Sequence, residues 1–139
     1  MYNTASNRTK NNLKNVHYKL VMLVGYALAI SEQDFFVNEG LRTAEKQMEY
    51  YKDGKSQIDG IHSIGRHQDN PDTPEIDGRA IDVYFTGWNN KIPNSDIRWK
   101  KVHEAFKIAS EKLRIKIKFG KDWVNFEDYP HIELEKVEW

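Results

Sequence analysis

The chain has 139 residues, 21 basic against 21 acidic side chains, no cysteine, and a 39% hydrophobic share of which aromatic residues make 12% of the chain. That length and apolar content suit one domain, 1–139, with a core of its own, and they exclude wholesale disorder. The missing thiols exclude disulfide scaffolds, cysteine-ligated zinc fingers and iron–sulfur clusters, and zero net charge gives no global field for a polyanion, so no nucleic acid partner is expected.

The polar start, MYNTASNRTKNN, lacks the apolar stretch and cleavage site of a signal peptide. The best apolar run, Leu20 to Ile30, is broken by Gly25 and too short to cross a bilayer, so we expect a cytoplasmic product without stable membrane insertion. Arg8, Lys10, Lys14 and Lys19 precede any acid, whereas Glu127, Asp128, Glu133, Glu135 and Glu138 crowd the end. A solvated basic helix face and an acidic tail account for this pattern; weak contact of the basic helix with an anionic envelope is the sharper alternative.

From Leu13 the apolar positions Val16, Leu20, Val21, Leu23, Val24, Ala27 and Leu28 recur at helical spacing, which predicts an amphipathic helix ending near Ser31. Phe35, Phe36 and Val37 form a short β-prone run leading to Gly40-Leu41-Arg42. Thr43 can then cap a helix carrying Lys46, Met48 and Tyr51, which Asp53-Gly54 stops. Ala80 to Phe85 reads as a mostly buried strand. Asn94 or Ser95 opens a helix with Ile97, Val102, Phe106, Ala109 and Leu113 on its core side, Ile115 to Phe119 alternates as a strand, Lys121 to Trp123 turns, and His131 to Leu134 closes as a strand. Helices and strands that do not alternate regularly indicate α+β: a small antiparallel sheet packed against two or three helices.

Any metal in such a chain must be held by His, Asp or Glu. Asp82 lies among apolar strand neighbours, where desolvation disfavours its charge unless something pairs with it. His17 and His103 fall within predicted helices and are read as surface or core-edge residues. His62 and His67 lie in the Gly- and Ser-punctuated loop GIHSIGRH (60–67), and His131 opens the last strand. A carboxylate flanked by two imidazoles is stable if all three ligate a divalent cation, and three protein ligands leave one tetrahedral corner for a water whose pKa falls to about 7.

The strings SIGRH (63–67), GRAID (78–82) and DYPHIEL (128–134) resemble the zinc peptidases of the D-alanyl-D-alanine carboxypeptidase and dipeptidase superfamily. That family's pattern is S-x-H, a short gap, G-x-A-x-D, and later an acidic residue three before a second ligand His. NEGLRTAEKQ (38–47) is similar to its G-x-R-T-x-x-x-Q element, and FGKDW (119–123) to the F-G-x-D-W element of bacteriophage L-alanyl-D-glutamate endopeptidases. The resemblance implies a fold like hedgehog and D,D-peptidase domains, with zinc (Zn2+) held by His67, Asp82 and His131. It implies Asp128 as general base and Arg42 facing the oxygen that gains charge on attack, with Arg42, Ser63 and Trp123 against the substrate. The expected substrate is the peptidoglycan stem peptide, cut at L-Ala–D-Glu by a monomeric phage endolysin with no separate wall-binding domain, which waits in the host cytoplasm until it reaches the wall.

Two departures stand out. Residues 68–77 form an insertion where the family has about two residues, and the residue two before His67 is Gly65, Ser63 lying four before. Within the insertion Asp69, Asp72, Glu75 and Asp77 are read as a solvated loop, ahead of a calcium-type site. Glu133 competes with Asp128 as base because alternate strand residues share a face, and His62 competes with His67 as ligand. Runner-up functions are a D,D-carboxypeptidase or dipeptidase, an iron(II)/2-oxoglutarate oxygenase built on His67, Asp69 and His131, and a non-catalytic zinc module binding cell-wall peptides.

Overall fold

The computed structural model describes residues 3–42, 44–54, 67–68, 78–125 and 127–139. Four helices, α1 (Asn7–Asn12), α2 (Tyr18–Ile30), α3 (Ala44–Lys52) and α4 (Ile97–Leu113), accompany four strands, β1 (Phe35–Glu39), β2 (Ala80–Phe85), β3 (Ile117–Phe119) and β4 (His131–Leu134). The strands pair antiparallel in the order β1-β2-β4-β3. The fold is α+β as expected, with one helix more than the two or three foreseen.

Strand alternation splits the sheet into two chemically different faces. Ile81, Val83 and Phe85 of β2, with Phe35, Val37, Ile132 and Leu134, face the core. There they meet Leu20, Leu23, Val24, Ala27 and Leu28 of α2 and Trp99, Val102, Ala105, Phe106 and Ala109 of α4. Antiparallel partners point the same way, so the pairings Asp82↔His131 and Ala80↔Glu133 put Asp82, His131 and Glu133 together on the other face. The apolar layer thus fixes the strand register, and the register delivers the polar set.

Helix α2 is shorter than the apolar spacing from Leu13 suggests. Asn15 takes a positive φ of 59°, and Val16 bridges to Gly78 instead of continuing a helical turn. The helix starts at Tyr18, capped by His17, whose Nδ1 accepts from the Lys19 amide at 3.2 Å. Leu13 and Val16 still pack on the core, which is why their spacing mimicked helix. His17 is therefore a cap and not a residue within the helix. Ile97, expected on the core side, is 58% exposed, because it follows the Asp96 cap at the start of α4. Strand β3 keeps only Ile117–Phe119 of the expected run, and Lys121-Asp122 lie in a 3-10 turn, Gly120–Asp122. Asp53-Gly54 ends α3 as expected, with Gly54 at φ 74°. Thr43 lies outside the described residues. Among these residues no helix is long and apolar enough to cross a membrane.

Candidate metal centre

Three segments distant in sequence converge on the polar face of the sheet. Asp82 is central on β2, His131 opens β4 beside it, and His67 lies against Gly40 and Arg42 just after β1. His67 Nε2 is 3.3 Å from Asp82 Oδ1, His131 Nδ1 is 3.6 Å from the same oxygen, and the two ring nitrogens are 3.2 Å apart. All three atoms lie within 4.8 Å of one another, and both imidazoles are buried.

The remaining ring nitrogens decide what this cluster can do. His67 Nδ1 is 2.9 Å from the Gly40 carbonyl, and His131 Nε2 is 2.9 Å from Glu133 Oε1. Each partner is an acceptor, so each ring spends its proton outward and turns a lone pair inward. Two inward lone pairs give the buried Asp82 Oδ1 no donor, and that oxygen is indeed without a hydrogen-bond partner. Three electron-rich atoms facing one point are mutually repulsive unless a cation lies among them. Two imidazoles and a carboxylate suit zinc, so the residues fit the metal that the resemblance implies.

Electrostatics agree with that assignment. Burial alone would raise the Asp82 carboxyl, but His67 and His131 outweigh it and hold the group well below the ordinary carboxylate range. Burial likewise pushes His131 down, yet the adjacent Asp82 and Glu133 carboxylates lift it to about 9. Both shifts register an environment that seeks positive charge at the centre. Asp128 is raised above its usual value, first by burial and then by the Asp82 charge.

Motif glycines explain how the loops come so near. A Cβ on Gly78 would lie 2.9 Å from the His67 carbonyl oxygen, and one on Gly120 would lie 2.8 Å from His131 Cβ while running into the Asp128 backbone. Gly120 O also accepts from the Asp128 amide at 2.9 Å, and the Asp128 carbonyl accepts from the His131 amide at 3.2 Å. The FGKDW and DYPH elements are thereby one unit. His103, set aside in the sequence, supports it: its Nε2 bonds the Tyr129 carbonyl at 2.9 Å, and its ring stacks on Trp99.

Arg42 reaches the same face, with Nη2 3.8 Å from Asp82 Oδ2, and its amide donates to the His67 carbonyl at 2.8 Å. Trp123 lies against the His131 ring, centroids 4.7 Å apart. Glu133, the competing base, is bonded to His131. Ser63, His62 and the acidic residues Asp69, Asp72, Glu75 and Asp77 lie outside the described residues. Sequence reasoning missed Glu39 and Tyr50, which hold Arg42; Glu39 stands one before the G-x-R-T-x-x-x-Q pattern, Tyr50 lies beyond it, and only the fold brings both to Arg42.

The profile of the family described as phage L-alanyl-D-glutamate peptidase matches residues 1–137. The L-alanyl-D-glutamate peptidase of Escherichia phage T5 is 30% identical over 130 residues, covering 92% of this chain and 86% of that protein. The crystal structure of Serratia marcescens L-Ala D-Glu endopeptidase ChiX superposes with a TM-score of 0.73 at 28% identity, covering 93% of this chain and 87% of that one. With sequence and fold agreeing over nearly the whole length, the chain belongs to the phage L-alanyl-D-glutamate peptidase family.

Proposed function

We propose that this chain is a zinc-dependent peptidoglycan peptidase, a phage endolysin that hydrolyses the bond between L-alanine and D-glutamate in stem peptides. One observation carries the zinc dependence: His67 Nε2, Asp82 Oδ1 and His131 Nδ1 face one another within 4.8 Å, with the outer nitrogen of each ring tied to an acceptor. Family membership carries the substrate.

In this reading His67, Asp82 and His131 hold zinc, which when bound supplies the acidity that makes a water nucleophilic near neutral pH. Asp128 accepts the proton of the attacking water and passes it to the departing amine of D-glutamate. Arg42, always charged and fixed in plane, stabilises the oxyanion that grows on the L-alanyl carbonyl. Trp123 walls the groove beside His131, and Ser63 is proposed as a further substrate contact. The chain acts as a single catalytic domain and a monomer, released from the host cytoplasm to the wall.

The test is mass spectrometry of fragments released from purified peptidoglycan. New N-terminal D-glutamate supports the proposed bond; free D-alanine assigns the D,D-carboxypeptidase specificity instead. An oxygenase built on Asp69 is disfavoured, because the carboxylate standing between both imidazoles is Asp82.

A further inference from the structure

Arg42 is also held from outside the metal cluster. Its Nε and Nη2 both donate to Glu39 Oε1, the other oxygen of Glu39 accepts from the Tyr50 hydroxyl at 2.7 Å, and the Tyr50 ring lies under the guanidinium at 4.5 Å. Asp82 Oδ2 stands 3.8 Å away as a competing carboxylate. A guanidinium this near two acids needs a reason to choose one.

The reason begins in strand β1. Phe36 pairs with Tyr84 and Val37 with Val83, so regular pairing would set Asn38 opposite Asp82 and turn Glu39 towards the core face beside Ile81. Instead Glu39 pairs with Asp82, because Asn38 is bulged out of register. Asn12 Nδ2 pins the bulge by donating to the carbonyls of Val37 at 2.9 Å and Asn38 at 3.2 Å, and Arg8 donates to Asn38 Oδ1. The bulge moves a charged side chain from a face where it would be buried among apolar groups to the face where Arg42 lies.

We infer that Glu39 and Tyr50 are positioning residues that fix the plane of the Arg42 guanidinium and keep it from closing on Asp82 beyond the 3.8 Å at which Oδ2 stands. This inference rests on the oxyanion role given to Arg42. Glu39 supplies a bond to each of two donors on one edge of the fork, and the Tyr50 ring supplies the plane. A planar fork with one edge and one face fixed aims its other N–H groups in set directions, which is what preorganised charge stabilisation requires. Were Glu39 neutral, Arg42 would turn to Asp82 and draw charge away from the two imidazoles.

The test is a double-mutant cycle on the zinc-loaded protein with a peptidoglycan stem peptide, with zinc affinity measured alongside. Arg42→Lys should lower kcat about a hundredfold. Tyr50→Phe, which keeps the ring and removes one hydrogen bond, should lower kcat about three- to tenfold with KM within about twofold, and Glu39→Gln should lower it tenfold or more while weakening zinc binding. In the Arg42→Lys background neither change should reduce kcat further. Losses that simply add to that of Arg42→Lys, or Tyr50→Phe at full kcat, overturn the positioning role. If Arg42→Lys itself keeps full kcat, the oxyanion role has failed and the positioning role falls with it. Should Glu39→Gln melt early, Tyr50→Phe decides alone.

Discussion

Glu133 Oε1 accepts a hydrogen bond from His131 Nε2 at 2.9 Å, across the two-residue step that returns a strand to the same face. The bond selects the tautomer that points Nδ1 at Asp82 and raises the basicity of the ring. Glu133→Gln should therefore weaken zinc binding about 10- to 100-fold, read by competition with a chelating dye. At saturating zinc most of the turnover should return. A variant that binds zinc normally yet is inactive would instead make Glu133 the proton acceptor.

In the proposed mechanism Asp128 separates metal binding from chemistry. Burial and the Asp82 charge raise its pKa, and its backbone is fixed by Gly120 on one side and His131 on the other. Asp128→Asn keeps size and shape but cannot take a proton. Zinc content should stay at the wild-type level while kcat falls about 10²- to 10⁴-fold. Undiminished function in Asp128→Ala would point to a wall-binding module that has no use for a base.

Metal removal should report both activity and stability. Chelation should abolish hydrolysis and added zinc restore it, while His67→Ala, Asp82→Ala and His131→Ala should each lose the metal. Since the three inward-facing atoms repel one another without a cation, binding should also stabilise the fold, by about 2.7 kcal/mol at a free zinc concentration of 100 times Kd. A melting temperature indifferent to zinc would count against the site.

Gly120 tests whether the two C-terminal motifs form one unit. A Cβ there would press on the Asp128 backbone and come within 2.8 Å of His131 Cβ, neither of which is the movable end of a side chain. Gly120→Ala should cost about 1–3 kcal/mol in urea denaturation. It should also lower kcat well beyond what that loss explains, because Asp128 and His131, the proposed base and ligand, move together. Unchanged kinetics would show that the turn adjusts without disturbing them.

How far the sequence carried this picture follows from what kind of interaction each residue makes. Strands β2 and β4 were legible because apolar residues on one face left Asp82 and His131 conspicuous on the other. The meeting of His67, Asp82 and His131 was reachable because these residue types are rare in such settings and fall in ordered motifs. Local backbone choices were less visible: Asn15 at positive φ and the His17 cap break a helix that apolar spacing alone would continue. Glu39 was out of reach for a different reason. Its face depends on one bulged residue, and that bulge is set by Asn12 and Arg8 from another helix. His103 looked like an ordinary helix residue because its partner, a carbonyl, carries no sequence signal.

That partner gives His103 a measurable pH signature. Burial holds its imidazole down at about 4, against 6.5 unfolded, with the Tyr129 carbonyl opposing the shift. Between those pH values the unfolded chain binds a proton that the folded chain refuses, so the contribution to stability is complete above 6.5 and is lost as pH falls towards 4. The full shift corresponds to about 3 kcal/mol. His103→Phe removes this titration and leaves the Tyr129 carbonyl without its donor, a loss of about 1–3 kcal/mol at neutral pH. Urea denaturation at pH 7, 5.5 and 4.5 should then show a variant less stable at pH 7 whose deficit shrinks on acidification. Wild-type and variant stabilities that fall in parallel would mean His103 is not the neutral, buried donor that the geometry describes.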